Sequence, residues 1–381
     1  MQTEGTYERV VVKAGTSLLT YDSDQPNLEV MSSLVAQMAD LHRQGTEILF
    51  VSSGAIAAGR GAVGQVKNSS SVPFRQALAA VGHPRLMALY QEMFGTHGIT
   101  VAQVLLTLHD VGERESMGEK LRDLNVRNTL LSLLELGILP IVNENDVVAV
   151  DELAGADFGD NDNLSARVAR SIDADLLVIL GVVNGLYTAD PHEDTTAELI
   201  PTIKRFDRSI SAIAGGPRDQ KGRGGMATKI EAARFATTNG VNVVIAGGME
   251  PEVLANLMQG VRIGTYCPAS HSDKISRRKW LRKNISEAGS IVIDEGAATA
   301  LLGGNHRSLL PVGVTEVLGD FKRGETVAIR NTAKLEIAAG ITNYSSVELA
   351  KINGLKSDRI ATVLGDHYGD EVIHRNNMVI L

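Results

Sequence analysis

The sequence predicts an α/β fold, with a mainly parallel sheet sandwiched by helices and a small β-rich domain after it. Three observations carry this prediction. Short, continuous aliphatic runs recur between residue 8 and about residue 260. Amphipathic stretches of helical length separate them, and most runs end in a polar turn bearing glycine, asparagine or lysine. A strand that is aliphatic throughout is buried on both faces, which is the condition of a parallel sheet covered by helices.

The elements follow in chain order. Val10–Val12, Ile48–Val51, Ile99–Leu106, Ile138–Val142, Leu176–Leu180 and Val241–Ala246 read as buried strands. Leu28–His42, Pro73–Phe94, Arg122–Leu136, Leu164–Ser171, Thr228–Asn239 and Glu252–Met258 read as helices. Crossovers between parallel strands are expected to be right-handed. Residues 147–163 begin with alternating valines and continue through Asp151 and Glu152 into a Gly/Asp/Asn-rich stretch. They read as a hairpin, a site loop and then a helix N-terminus at Asn161–Leu164. Residues 185–225 are long and polar, the mark of a functional or mobile loop.

Near residue 268 the character changes. Lys274, Arg277, Arg278, Lys279, Arg282 and Lys283 crowd a linker or short connecting helix that also holds Trp280. Beyond it, Ser290–Ile293, Leu309–Pro311, Thr326–Ile329, Ile337–Ile341 and Glu371–Ile373 are short and β-like, and Ser346–Asn353 reads as a helix. The expected organisation is a first domain over 1–268, a linker over 269–288 and a second domain over 289–381.

Composition narrows the function classes. Of 381 residues, 44% are hydrophobic and 22% charged, as in a soluble globular chain. No run approaches the roughly 18 apolar residues of a membrane span, and residues 1–10 lack the order of a signal peptide. The lone Cys267 rules out an intramolecular disulfide or a cysteine zinc cluster, so a reduced, cytoplasmic setting is expected. A net charge of −8 argues against a nucleic-acid coat, while leaving a local basic patch open. Aromatics are 4%, so aliphatic side chains must fill the core.

The turns carry the chemistry. Val10–Val12 leads into Lys13-Ala14-Gly15-Thr16-Ser17, Ile48–Val51 into Ser52-Ser53-Gly54, and Ile138–Val142 into Asn143-Glu144-Asn145-Asp146. Leu176–Leu180 runs into Gly181, and Gly224-Gly225-Met226-Ala227-Thr228-Lys229 opens a helix. Parallel strands end at one edge, so these turns build a common pocket. Glycine lets backbone N–H groups approach a phosphate, and lysine supplies a point charge. A helix N-terminus adds unpaired N–H groups and the positive end of its dipole. Alone, Lys13 would read as a solvated strand end and Gly224–Lys229 as a glycine loop before an ordinary helix. Together they indicate phosphate chemistry.

Several of these segments resemble one family. Val11-Val12-Lys13-x-Gly15-Thr16-Ser17, Ser53-Gly54-Ala55-Ile56-Ala57-Ala58-Gly59 and Asn143-Glu144-Asn145-Asp146 are similar to motifs of the glutamate 5-kinases, a branch of the amino-acid kinases. So are Gly159-Asp160-Asn161-Asp162-Asn163-Leu164-Ser165-Ala166, Gly185-Leu186-Tyr187-Thr188-Ala189-Asp190-Pro191 and Gly224-Gly225-Met226-x-Thr228-Lys229. Val292–Ala297, Ser308–Pro311 and Arg323-Gly324-Glu325 resemble the PUA domain that bacterial members carry. Each motif alone is weak; six in the right order, with the right intervals, are specific.

The resemblance implies an amino-acid-kinase fold and transfer of a phosphoryl group from ATP to the γ-carboxylate of L-glutamate. The product, L-glutamyl 5-phosphate, is the first intermediate of proline biosynthesis. It implies that Lys13 touches the migrating phosphoryl, that Lys229 stabilises charge on the leaving side, and that Asp162 sits between them. Two close lysines repel, and a carboxylate between them lowers that cost. Nucleotide binding falls to Lys13 and Gly15 and to Arg223, Gly224, Gly225, Met226, Ala227, Thr228 and Lys229. Ser53, Asp146 and Asn161 match positions that bind glutamate. Ser53-Gly54 offers donors to a carboxylate, Asp146 an anion to an ammonium, and Asn161 both kinds of group. All three are also ordinary turn residues. Asp160 and Asp162 alternatively resemble a cation loop, although EF-hand spacing is absent, and Asn161 or Asp162 also suits the N-cap of a helix starting near Asn163.

Magnesium is expected to bridge the nucleotide phosphates with few protein ligands. Feedback inhibition by proline, a homo-oligomer, and RNA contact through the PUA domain and basic linker are further implications. Alone, that linker reads as a solvated connecting helix whose Trp280 packs at the domain junction. The chain departs from the family pattern at Ala14, where leucine or isoleucine is usual, at Gly181-Val182 in place of Thr-Asp, and at Arg223 in place of threonine. These departures bear on nucleotide preference. Gly181-Val182 also motivates a competing reading, an RNA-binding protein with an inert kinase-like domain; a regulatory scaffold is a third.

Overall fold

The computed structural model describes residues 7–20, 24–64, 71–111, 116–149, 161–214, 225–270, 285–303, 307–365 and 367–381. The chain divides into two compact units, one from Met1–Glu113 with Asn125–His271, the other from Arg114–Leu124 with Ser272–Leu381.

The first unit is a seven-stranded sheet. Its strands are β1 (Arg9–Ala14), β2 (Glu47–Val51), β3 (Val101–Leu106), β4 (Leu139–Glu144), β5 (Leu176–Gly181), β6 (Asn242–Gly247) and β7 (Thr265–Cys267), in the spatial order β3-β4-β2-β1-β5-β6-β7. All pairs are parallel except β6 with β7. The helices are α1 (Thr16–Leu19), α2 (Leu28–Arg43), α3 (Ala55–Val63), α4 (Val72–Gly95), α5 (Met117–Glu135), α6 (Asn161–Ser171), α7 (Arg208–Ala214), α8 (Met226–Thr238) and α9 (Val253–Met258).

The pleat sorts β1 into two cores. Val10 and Val12 join Leu34 and Met38 of α2 and Leu86 and Phe94 of α4 on one face. Val11 joins Leu164 and Val168 of α6 and Ala232 and Ala236 of α8 on the other. Side chains two residues apart share a face of a strand, so Lys13 lies on the side of Val11, toward α6 and α8.

The six strands and six helices read from the aliphatic runs and their periodicity are all present. Additional elements are α1, α3, α7 and the antiparallel strand β7. Helix α3 is rich in alanine and glycine because it packs closely on α4. A Cβ on Gly59 would lie 1.9 Å from the carbonyl oxygen of Leu78, and one on Gly82 would lie 1.7 Å from that of Ala55. The two backbones touch, which no larger side chain permits. The valines after Asp146 form a turn and not a strand, with Val148 and Ala149 N–H donating to the Asn145 carbonyl. The rest of the expected hairpin and site loop lies outside the described residues. No described helix is long and apolar enough to cross a membrane.

The second unit is a five-stranded sheet of β8 (Ile285–Ile293), β9 (Val314–Gly319), β10 (Thr326–Arg330), β11 (Glu336–Ile341) and β12 (Met378–Ile380), in the order β12-β11-β10-β8-β9. Helices α10 (Glu295–Leu302), α11 (Ser346–Ile352) and α12 (Ile360–Leu364) pack with it. Ser345 and Glu348 form a capping box on α11, which explains the sharp start of the helix expected there. Leu309–Pro311 and Glu371–Ile373, expected as strands, make only an isolated bridge between Leu309 and Ile373, followed at Pro311–Gly313 by a 3₁₀ turn. The basic linker, with Trp280, lies outside the described residues.

Candidate active site

The carboxyl ends of β1, β2, β4, β5 and β6 share one edge of the sheet, and nearly every described residue singled out above sits there. Lys13 is the penultimate residue of β1 and pairs in register with Val51 of β2 and Ile179 of β5. It is 1% exposed. Asp162, in the first turn of α6, is fully buried. Lys229, in the first turn of α8, is also buried.

These three side chains converge. Lys13 Nζ lies 2.5 Å from Asp162 Oδ1, and Lys229 Nζ lies 3.1 Å from Asp162 Oδ2. The Thr228 hydroxyl lies 2.9 Å from the same Oδ2 and 2.8 Å from the Gly225 carbonyl oxygen, a donor shared between them. Burial pushes the Asp162 carboxyl up, but Lys13 and Lys229 outweigh it and hold it well below the usual carboxylate range. Among the described residues the cluster joins two lysine ammonium groups to one carboxylate at a dry edge of the sheet.

The sign of the Asp162 shift gives a pH expectation. A carboxylate with a lowered folded pKa contributes stability that is complete above its unfolded value, about 3.9, and is lost as pH falls through the folded value. Acid titration of the folded chain followed by NMR of the Asp162 carboxyl should show it ionised at pH 4. A midpoint above pH 4 would contradict the ion-paired arrangement.

A second group lies at the ends of β2 and β4, which are neighbours. The Asn161 side-chain amide serves three acceptors: the Ser52 carbonyl at 2.9 Å, Ser53 Oγ at 2.9 Å and Asn143 Oδ1 at 3.1 Å. Its own oxygen, Oδ1, is buried and has no hydrogen-bond partner among the described residues. Asn161 thus ties both strand ends to α6 and offers one acceptor to a ligand. Asn161 and Asp162 lie inside α6, whose first residue is Asn161, and their side chains turn to the site, so the capping role weighed for them is not what they perform. Gly54, after Ser53, has a φ of 100°, the left-handed region open to glycine. It lets the chain leave β2 and enter α3 at once.

Asp146, two residues past β4, is buried and pairs with His83 Nε2 at 2.9 Å. Sequence reasoning missed His83, together with Tyr90, whose hydroxyl meets Ser52 Oγ at 2.8 Å, and Asn143. The signal was present: His83 and Tyr90 occupy the buried spacing of α4 alongside Leu86 and Phe94, where polar groups need a polar partner.

Of the expected nucleotide residues, Gly225 precedes α8 as its N-cap, with an extended backbone, and Met226, Ala227 and Thr228 form its first turn. Gly15 donates its backbone N–H to the Leu180 carbonyl at 3.3 Å, tying the turn after β1 to β5. A Cβ on Gly181 would touch Lys229 Cε at 3.4 Å, so glycine there leaves the lysine stem uncovered. Arg223 and Gly224 lie outside the described residues.

Comparison with known proteins gives consistent findings. The amino acid kinase family model matches residues 8–247, and the PUA domain model matches residues 289–364. Glutamate 5-kinase from Dehalococcoides mccartyi is 48% identical over 98% of this chain and 99% of its own. Glutamate 5-kinase from Pelobacter propionicus is 43% identical over 98% of each. Among solved structures, UMP kinase from Bacillus anthracis aligns with 69% of this chain and 97% of its own, at 16% identity and a TM-score of 0.47.

Proposed function

This chain belongs to the amino acid kinase family, with a PUA domain at its C-terminal end, and on that premise we propose that it phosphorylates the γ-carboxylate of L-glutamate with ATP. The supporting observation is the buried Lys13–Asp162–Lys229 cluster, in which two ammonium groups converge on one carboxylate at the edge of a parallel sheet. An oxygen of the glutamate carboxylate attacks the γ-phosphorus, the bond from that phosphorus to the bridging oxygen breaks, and ADP leaves with the electron pair. Charge spreads over the migrating phosphoryl in the transition state. Lys13 meets that charge from β1, and Lys229 meets it on the leaving side, from the N-terminus of α8. Asp162 holds the two ammonium groups apart from the solvent and close to each other. Its role is placement, since both of its oxygens already face donors.

Magnesium enters with the nucleotide as part of the substrate. Among the described residues no group of three or more His, Cys, Asp or Glu side chains is placed to hold a metal ion. Gly15, Gly225, Met226, Ala227 and Thr228 surround the phosphates in this reading, and Arg223 and Gly224 extend the same loop. Ser53 and Asn161 bind the acceptor's α-carboxylate and ammonium groups, and Asp146 binds the ammonium. Oδ1 of Asn161, without a hydrogen-bond partner among the described residues, suits an ammonium donor.

A coupled ADP-release assay tests this function directly. ADP release that depends on L-glutamate is expected, and its absence would overturn the proposal. Asp146→Ala should raise the KM for glutamate by about 10- to 100-fold, the scale of a lost hydrogen bond between charged groups. It should leave kcat much less affected, as loss of ground-state binding does; a fall in kcat with KM unmoved would remove Asp146 from the acceptor site.

The same reading places the product at the start of proline biosynthesis, with proline as a feedback inhibitor and a homo-oligomer as the working form. A cytoplasmic setting fits the single buried thiol, Cys267, which burial pushes up to about 12 and so keeps protonated. The PUA domain gives the chain a module for RNA contact, and a gel shift at near-physiological salt tests it.

A further inference from the structure

We propose that His83 is a positioning residue for the acceptor: its imidazole Nε2–H holds one oxygen of Asp146 and leaves the other for the substrate ammonium. The proposal rests on the reading that Asp146 binds that ammonium. His83 and Asp146 are each 6% exposed, and their contact of 2.9 Å is a direct hydrogen bond. Among the described residues Asp146 makes no other side-chain hydrogen bond. Among the described residues, His83 is therefore the hydrogen-bond partner that sets its orientation about the last side-chain torsion.

Helix α4 grips this part of the site at regular intervals. Gln76 Nε2 donates to the Val147 carbonyl at 2.9 Å, His83 reaches Asp146, and Tyr90 reaches Ser52. The spacing of seven residues is two helical turns, so all three project from one face. Gly82, beside His83, lets that face approach the start of α3 closely enough for backbone contact. A single helix thus sets both walls at which the acceptor is expected, the Ser52–Ser53 turn and the Asp146 turn.

The 2.9 Å contact calls for a proton on the Nε2 that faces Asp146. Such a donor fixes the carboxylate toward an ammonium group, and an unprotonated Nε2 would repel the oxygen. Any side chain presenting an N–H at the Nε2 position serves, which separates positioning from the bulk of the ring.

Steady-state kinetics on the full-length chain test this, with L-glutamate varied at saturating MgATP and MgATP varied at saturating glutamate. His83→Leu should raise the KM for glutamate about 10-fold, with kcat and the KM for MgATP within about 2-fold of the unmodified protein. His83→Gln, whose amide nitrogen reaches the Nε2 position, should return the KM to within about 3-fold. An unchanged glutamate KM in His83→Leu, or no rescue by His83→Gln in a variant with an unaltered melting temperature, would overturn the proposal. If His83→Leu does not fold, His83→Asn replaces it. Its shorter amide stops at the Nδ1 position, so a higher KM than in His83→Gln supports the proposal and equal values overturn it. Absence of glutamate-dependent turnover in the unmodified protein would instead overturn the kinase reading beneath it. Turnover with an unmoved KM in the variants overturns the role of His83 alone.

Discussion

Lys13→Ala and Lys229→Ala should each lower kcat by at least about 100-fold, the usual scale for removing one preorganised contact to transition-state charge. The two variants should differ in a second readout. Lys229 rises from the α8 N-terminus among the expected nucleotide-binding residues, so its loss should also weaken MgATP binding. Lys13 stands on β1 at the migrating phosphoryl, and its loss should weaken MgATP binding less than the loss of Lys229 does. Either deletion keeps Asp162 paired with one lysine, so the fold should survive. Asp162→Ala is harsher, because it removes the one carboxylate that both buried ammonium groups contact, at 2.5 and 3.1 Å. Removing one partner of a buried ion pair costs about 3–5 kcal/mol. Rates near those of the unmodified protein in either lysine variant would contradict the roles assigned here.

Gly82→Ala should damage both stability and acceptor binding. The added methyl would sit 1.7 Å from the Ala55 carbonyl oxygen and 2.7 Å from the Gly59 nitrogen, both backbone atoms. The helices α3 and α4 must separate to admit it. Overpacking of this kind costs about 1–3 kcal/mol and sometimes more, which for a unit of this size lowers the melting temperature by roughly 2–4 °C per kcal/mol. The displacement also draws His83 and Tyr90 away from Asp146 and Ser52, so the KM for glutamate should rise with it. Gly95→Ala is the matched control at the other end of the same helix, where a Cβ meets nothing within 4 Å. It should be neutral or stabilising by up to about 1 kcal/mol. Equal melting temperatures for the two variants would show that the α3–α4 approach is not under steric constraint.

What was legible in the sequence follows from range. Val10–Val12, Leu176–Leu180 and the other aliphatic runs announce buried strands because a strand's environment is written in its own residues. The side of the sheet on which Lys13 lies follows from the period-two pleat. The bond from Asn161 to Ser53, across 108 positions of chain, is written in no local pattern; the family resemblance grouped the two residues, and the fold makes their contact. Helix α3 was hidden because its alanines and glycines answer to α4 and not to helical amphipathicity. His83 was hidden for the opposite reason: α4 reads as a core helix, and a histidine on its buried face is unremarkable until Asp146 arrives from β4. Strand β7, antiparallel and of three residues, is too short to show a pattern. Arg223, Gly224 and the stretch before Asn161 lie outside the described residues, so the Arg223 departure keeps only its sequence argument.

The convergence of Lys13 and Lys229 on a transferred phosphoryl is tested most directly by a planar mimic of that group. Affinity for MgADP with aluminium fluoride, in the presence of L-glutamate, should fall in Lys13→Ala by about the same factor as kcat, because catalytic contacts strengthen in the transition state. Affinity for MgADP alone should stay within about 3-fold. Unchanged affinity for the mimic, alongside reduced turnover, would contradict the placement of Lys13 at the migrating group.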